Sequence, residues 1–251
     1  MSLSDADLDR FARHIVLKEI GGAGQVRLRN ATVAMIGAGG IGSPALQYLA
    51  AAGIGTIVVI DDDRVDLSNL QRQTIFDMTD IGTAKVVAAG RAVARRDPGI
   101  RIVAHRERIG AANAARLLAN ADVILDGADN FATRLAVADA ALALRIPLVA
   151  ASVAQFDGQL GVFRGWEDGQ PCYRCLVGDD PQRDAASCAE AGVMGAMAGM
   201  MGSLAAIEVI RAIVPFGQDS AGKVLIADGL ALRFRTLSLP RDPGCRHHHA
   251  V

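Results

Sequence analysis

The sequence predicts an α/β fold, a doubly wound and mostly parallel sheet that antiparallel strands extend in its C-terminal part. Two patterns predict it. From Thr32 to Ala151 short apolar runs alternate with helical periods, the signature of parallel strands joined by crossover helices. Past Ser152 the strand-like runs succeed one another without such helices, which implies antiparallel pairing. At 251 residues, 51% of them apolar, the chain can fill the core of one domain over residues 1–251. It divides into a helical segment at 1–30, a first half at 31–151 and a second half at 152–251.

Asp5 to Leu17 carries a helical apolar period, and Gly21, Gly22 and Gly24 are expected to break the chain after it. Strands are predicted at Thr32–Ile36, Thr56–Ile60, Arg101–Ala104, Val123–Asp126 and Leu148–Ala151. Helices between them are predicted at Pro44–Ala52, Ala84–Arg95, Ala112–Ala119 and Thr133–Leu144. Further strands are expected at Gln159–Phe163, Lys223–Ala227 and Ala231–Leu239. Gly178 to Ser187 is polar, contains Pro181 and lacks an apolar period, so it reads as an exposed loop. The stretch from Ala191 to Ile207 is near the lower length for a membrane span. Gly192, Gly195, Gly199, Gly202 and Ser203 interrupt it, so a core or dimer-interface helix is the favoured reading.

With 26 basic against 27 acidic residues, no global positive field draws the chain to nucleic acid or to anionic lipid. The N-terminus has neither the basic segment nor the apolar run of a signal peptide, so a cytoplasmic location is expected. Disulfides are then not anticipated.

Gly37-x-Gly39-x-x-Gly42 comes after the first strand and opens the first crossover helix. Such a turn points backbone N–H groups at a phosphate, which makes the half Rossmann-like. Alone the pattern also suits a ligand-free turn. Asp61 ends the next strand about 20 residues on, where an acid accepts ribose hydroxyl protons in dinucleotide folds. An NAD-dependent oxidoreductase is one reading of that pair. Arg72, Lys85 and Asp129 favour another, because two cations and a metal-capable carboxylate near strand ends suit a triphosphate with Mg²⁺.

Cys172 and Cys175 form a C-x-x-C knuckle, and Cys245 with His248 forms a C-x-x-H pair. Three thiolates and an imidazole satisfy tetrahedral Zn²⁺ in a structural role; a redox C-x-x-C is the competing reading. His247 and His249 adjoin His248 and share its chemistry. Cys188 precedes the glycine-rich helix, as a nucleophile or as a packed small residue.

The chain resembles the MoeB/ThiF/HesA family of adenylyltransferases, bacterial relatives of ubiquitin-activating enzymes, over essentially its whole length. The resemblance rests on Arg10-Phe-Ala-Arg-His-Ile15, Gly37-Ala-Gly-Gly-Ile-Gly-Ser43, Asp61, Asp66-Leu-Ser-Asn-Leu-Gln-Arg-Gln-Thr74 and Gly82-Thr-Ala-Lys85. It continues in Asp126-Gly-Ala-Asp-Asn130, Pro171-Cys-Tyr-Arg-Cys175, Glu190-Ala-Gly-Val193 and Pro243-Gly-Cys245. It implies ATP-dependent adenylation of the C-terminal Gly-Gly carboxylate of a small ubiquitin-like sulfur carrier protein, in molybdopterin or thiamine thiazole synthesis. A catalytically silent adaptor is the reading from another class.

By the same resemblance the nucleotide is held by Gly37, Gly39, Gly40, Gly42, Asp61, Ser68, Asn69, Leu70, Gln71, Arg72, Lys85, Asp129 and Asn130. Asn69, Arg72 and Lys85 handle the phosphates and Asp129 holds Mg²⁺. Arg13 reaches the ATP of the other subunit, so a homodimer is implied, and the Gly178 to Ser187 loop passes over the carrier's tail. The family's second metal pair is usually C-x-x-C, where this chain has Cys245 and His248. No sulfurtransferase domain succeeds that pair in this sequence, so sulfur is expected from a separate donor protein.

Overall fold

A computed structural model describes residues 3–179 and 192–247. The expected loop at Gly178 to Ser187 falls almost entirely outside these residues, and Cys188, His248 and His249 fall wholly outside them. Strands β1 (Thr32–Ile36), β2 (Thr56–Ile60), β3 (Arg101–His105), β4 (Val123–Asp126) and β5 (Leu148–Ala154) lie parallel. Strands β6 (Asp157–Phe163), β7 (Lys223–Asp228) and β8 (Arg233–Ser238) continue the sheet antiparallel. The order is β3-β2-β1-β4-β5-β6-β7-β8, so the strand sequence reverses between β1 and β4. In an open α/β sheet the crevice at such a reversal is where ligands bind.

Alternation along each strand sends side chains to two helical layers. On one face Val33, Met35, Ile57, Val59, Leu125 and Val149 pack under α3 (Gly21–Asn30), α4 (Gly42–Ala51), α5 (Lys85–Arg96) and α9 (Gly195–Ile213). On the other, Ala34, Ile36, Val58, Ile60, Ile124 and Leu148 pack under α6 (Ala114–Leu118), α7 (Phe131–Leu144) and α8 (Tyr173–Val177). Strands covered on both faces need continuous apolar runs, which is why the sequence showed them so plainly. Among the described residues α9 is the one helix long and apolar enough to span a membrane. It packs against α4, β5 and β6, and at Gly202 a β-carbon would lie 2.4 Å from the Ile41 carbonyl oxygen. Gly195 and Gly202 therefore admit a neighbouring backbone.

Three elements depart from the sequence expectation. The helix expected over Asp5 to Leu17 is two helices, α1 (Asp5–Arg10) and α2 (Ala12–Ile15), because the chain breaks at Phe11 to bury that ring. Gly21, Gly22 and Gly24 do not break the helical segment but begin α3. Gly24 is there because Val214 is close: a β-carbon would meet its side chain at 2.9 Å. The short helix α8 was not expected, since five residues carry no readable period.

The N-terminal helices are held to the domain by charge. Arg29 donates to Asp7 Oδ1 from Nε at 3.2 Å and from Nη2 at 2.7 Å, and its guanidinium lies 4.8 Å from the Phe11 ring centre. Its Nη1 also approaches Asp97 Oδ2 at 2.8 Å without hydrogen-bond alignment. The hydrogen bond from Arg29, with those from Ser4, lowers the Asp7 carboxyl from 3.8 to about 2. A carboxyl held low stabilises the fold above its unfolded value, and that contribution fades as pH falls through the folded one. In Asp7→Asn, thermal unfolding followed against pH is therefore expected to lack the wild type's extra loss of stability between pH 3.8 and about 2. Identical profiles would show that Asp7 contributes nothing to folding.

Candidate active site

A cavity of about 850 Å³ opens at the carboxyl ends of β1, β2, β4 and β5, at the strand-order reversal. Its floor is the turn after β1. Gly37 has a φ of 82°, and its N–H donates to the Ile60 carbonyl at 2.9 Å. A β-carbon on Gly42 would lie 1.9 Å from the Gly37 carbonyl oxygen, so the start of α4 closes on the loop's own backbone. Gly39 and Gly40 line the cavity beyond it, and the Gly39 carbonyl accepts from Ser43 N–H at 2.8 Å as α4 begins. A loop so placed at a helix start is suited to phosphate oxygens.

Asp61 ends β2 and ties this loop to its neighbour. Its Oδ2 accepts from Ala38 N–H at 2.8 Å and its Oδ1 from Asp63 N–H at 2.9 Å. Burial pushes its pKa up, while the charge of Lys85 opposes the shift. Each oxygen keeps a second acceptor position, so bracing the loop and receiving a ribose hydroxyl are compatible. Lys85 is the first residue of α5 and is buried, and its Nζ donates to Asp63 Oδ2 at 2.7 Å. An ammonium carries three donors, so this one bond anchors the group and leaves others for a phosphate.

Arg72 lies across the loop. Its Nη1 donates to the Ser68 carbonyl at 2.9 Å, and its Cδ and Cγ flank Gly40, at 3.5 and 3.6 Å from a β-carbon built there. Asn69 lines the same wall, accepting from Asp66 N–H at 3.2 Å through Oδ1. On the opposite wall Asp129 and Asn130 precede α7. Asn130 caps that helix by accepting from Thr133 N–H at 2.9 Å, and Asp129 is exposed to the cavity.

The structure thus gathers Gly37, Gly39, Gly40, Asp61, Asn69, Arg72, Lys85, Asp129 and Asn130 around one space. Four expected contacts are not among the lining residues. Gly42 packs beneath Gly37, and Ser68 turns its hydroxyl to Asp66 Oδ1 at 2.7 Å. Leu70 packs on the core, while the Gln71 carbonyl oxygen lies against α9, 2.3 Å from where a β-carbon on Gly195 would stand. Arg13 is exposed on α2, likewise away from this cavity.

The cavity also has residues that sequence reasoning missed. Asp63 anchors Lys85, and Gln73 is buried with no hydrogen-bond partner for its Oε1 among the described residues. Arg134 is buried in the first turn of α7, donating to the Ala151 carbonyl at 2.7 Å and to Tyr173 Oη at 3.3 Å. Burial would lower its pKa, but Asp126 beside it raises it overall. A lone arginine among the mostly apolar residues of Phe131–Leu144 was the available signal.

Behind Tyr173 lie the cysteines. Cys172 precedes α8, and its Sγ is 3.8 Å from that of Cys175 and 3.6 Å from that of Cys245. Zinc bound tetrahedrally at about 2.3 Å from each sulfur separates thiolates by about 3.8 Å, so the three thiols fit that ion. Burial and the neighbouring thiols hold the Cys172 thiol up at about 12 when no ion is present. Asp242 N–H donates to Cys175 Sγ at 3.4 Å. Of the adjoining histidines His247 is described, with Nε2 3.0 Å from Asp179 Oδ1 and Nδ1 3.8 Å from Asp139 Oδ1.

Comparison with known proteins places the chain in a family. A profile of the ThiF family matches residues 11–247. The chain is 42% identical over 250 residues to the sulfur carrier protein adenylyltransferase of Thermus thermophilus, covering 98% of this chain and 92% of that one. It is 39% identical to the molybdopterin-synthase adenylyltransferase of Escherichia coli K12, covering 97% of each. Against the crystal structure of Escherichia coli MccB the TM-score is 0.82 at 22% identity, over 97% of this chain and 73% of that one.

Proposed function

The chain belongs to the ThiF family, and from that premise we propose that it uses ATP to adenylate the C-terminal Gly-Gly carboxylate of a small ubiquitin-like sulfur carrier protein. The carrier so activated proceeds to a thiocarboxylate in molybdopterin synthesis. The observation that carries the reading is the cavity itself, with Lys85, Arg72 and Asp129 disposed around a glycine loop at the strand-order reversal.

The chemistry needs charge neutralisation and alignment more than proton transfer. A carrier carboxylate oxygen attacks the α-phosphorus, the bond to the bridging oxygen of the β-phosphate breaks, and pyrophosphate leaves with the electron pair. The attacking acid is already ionised, so no general base is required. Glycine-loop amides and Lys85 draw charge from the phosphates, Arg72 covers them from the Gly40 side, and Asp61 receives the ribose. Mg²⁺, when bound, would neutralise phosphate charge, and Asp129 would hold it. In this reading Arg13 completes the site of a second subunit in a homodimer, Cys188 meets the carrier, and a separate protein supplies sulfur. Zn²⁺ would join Cys172, Cys175, Cys245 and His248 and tie the C-terminal segment to α8. The enzyme works in the cytoplasm.

The test is ATP–pyrophosphate exchange by the purified protein with a molybdopterin-type and then a thiazole-type carrier. Exchange that needs the molybdopterin-type carrier and its terminal Gly-Gly is the expected result. Exchange with the thiazole-type carrier alone moves the protein to thiamine synthesis. ATP binding without exchange favours an adaptor, and NADH binding in its place favours hydride transfer.

A further inference from the structure

The thiol cluster and the cavity share a connecting element, α8. Tyr173 directly succeeds Cys172, so the residue that begins α8 is fixed by the knuckle. Its hydroxyl accepts from Arg134 at 3.3 Å, and its ring meets Phe163 edge-on with centroids 5.4 Å apart. Next along α8, Arg174 makes a two-toothed contact with Asp139 of α7 at 2.7 and 2.8 Å. Cys172 and Cys245 themselves pack on Leu142, near the far end of α7. The helix that presents Asp129 and Asn130 to the cavity is therefore gripped along its length by the segment that carries the cysteines.

Arg134 is the sensitive point of that grip. It is buried, lines the cavity and holds the Ala151 carbonyl of β5. Its counter-charge is Asp126, whose Oδ1 accepts from Ala128 N–H at 2.9 Å while Oδ2 has no hydrogen-bond partner among the described residues. In so dry a place few groups define where the guanidinium sits, and the Tyr173 hydroxyl is one of them.

We infer that Tyr173 and Arg134 couple the cysteine cluster to the nucleotide cavity, so that metal bound by the thiolates and ATP bound beside Asp129 favour each other. Tyr173 also lines the cavity; in this scheme it is a positioning residue, acting on the nucleotide through the Arg134 it holds. The inference rests on the nucleotide-binding part of the proposed function and is independent of the carrier. Coupling between two sites is reciprocal, so ATP must raise metal affinity by the factor by which metal raises ATP affinity. A hydrogen bond to a buried charge can carry about tenfold.

The cluster includes its own reporter, because Trp166, the chain's single tryptophan, packs against it. Zinc affinity is measured on the full chain by chelator competition, monitored by Trp166 emission, with and without saturating ATP. The wild type is expected to bind zinc about tenfold more tightly with ATP. Tyr173→Phe, which keeps the ring and all three thiols, is expected to bind zinc and ATP with less than about twofold mutual effect. Arg134→Lys, which keeps the charge but loses the fork that spans β5 and α8, should behave alike and serves if the tyrosine variant fails to fold. No effect of ATP on zinc affinity in the wild type, or equal effects in wild type and variants, overturns the inference. Intact coupling with no carrier-dependent exchange would instead strike the carrier assignment.

Discussion

In Arg72→Ala and in Asp129→Ala, carrier-dependent ATP–pyrophosphate exchange is expected to fall by about 10²- to 10³-fold, the usual loss when one preorganised charge is removed from a reacting centre. Both side chains are placed so that the loss reads as chemistry and not as unfolding. Asp129 is exposed to the cavity and lies outside the helix it precedes. Arg72 spends one donor on an exposed carbonyl and otherwise lies along Gly40. Thermal midpoints close to the wild type's are therefore expected for both variants. Lys85 is a poorer probe, because removing a buried ammonium leaves Asp63 without its partner and mixes stability into the result. Full exchange activity in either variant would sink the adenylation reading at its core.

Why some of this was legible in the sequence and some was not has a physical reason. Strands β1, β2 and β4 were read with their observed bounds, because buried parallel strands require unbroken apolar runs. The glycine loop was legible because its positive φ at Gly37 favours glycine and its backbone contact at Gly42 leaves no room for a β-carbon. Asp61, Lys85 and Asp129 stand at element ends, where local pattern finds them. What escaped notice depends on pairs far apart in the chain. Asp63 matters only because Lys85 folds back to it, and Arg134 only because Tyr173 and Ala151 come to it. Gly24 misled for the same reason: it answers to Val214, a neighbour that no window around it contains.

Gly42→Ala is expected to have the largest effect of any single methyl added to this chain's glycine loop. The added carbon would stand 1.9 Å from the Gly37 carbonyl oxygen and 3.0 Å from its carbon, both backbone atoms that no rotamer change can move aside. Relief requires lifting the loop from α4, which breaks the turn that Asp61 braces from below. The variant should lose ATP binding and, by the scale of overpacking and backbone strain, about 3 kcal/mol or more of stability. Gly39→Ala separates the two effects. There the nearest atom to an added carbon is Gln73 Nε2, 3.8 Å away, so the apoprotein has room for it. That variant is expected to unfold at nearly the wild-type temperature, yet its methyl enters the space where loop amides approach phosphate. Its ATP affinity should fall by about tenfold or more, since close backbone approach is what a glycine in this turn provides. Calorimetric unfolding and ATP titration of the pair decide the matter. Undiminished ATP affinity in Gly39→Ala would mean that the phosphates lie elsewhere in the cavity.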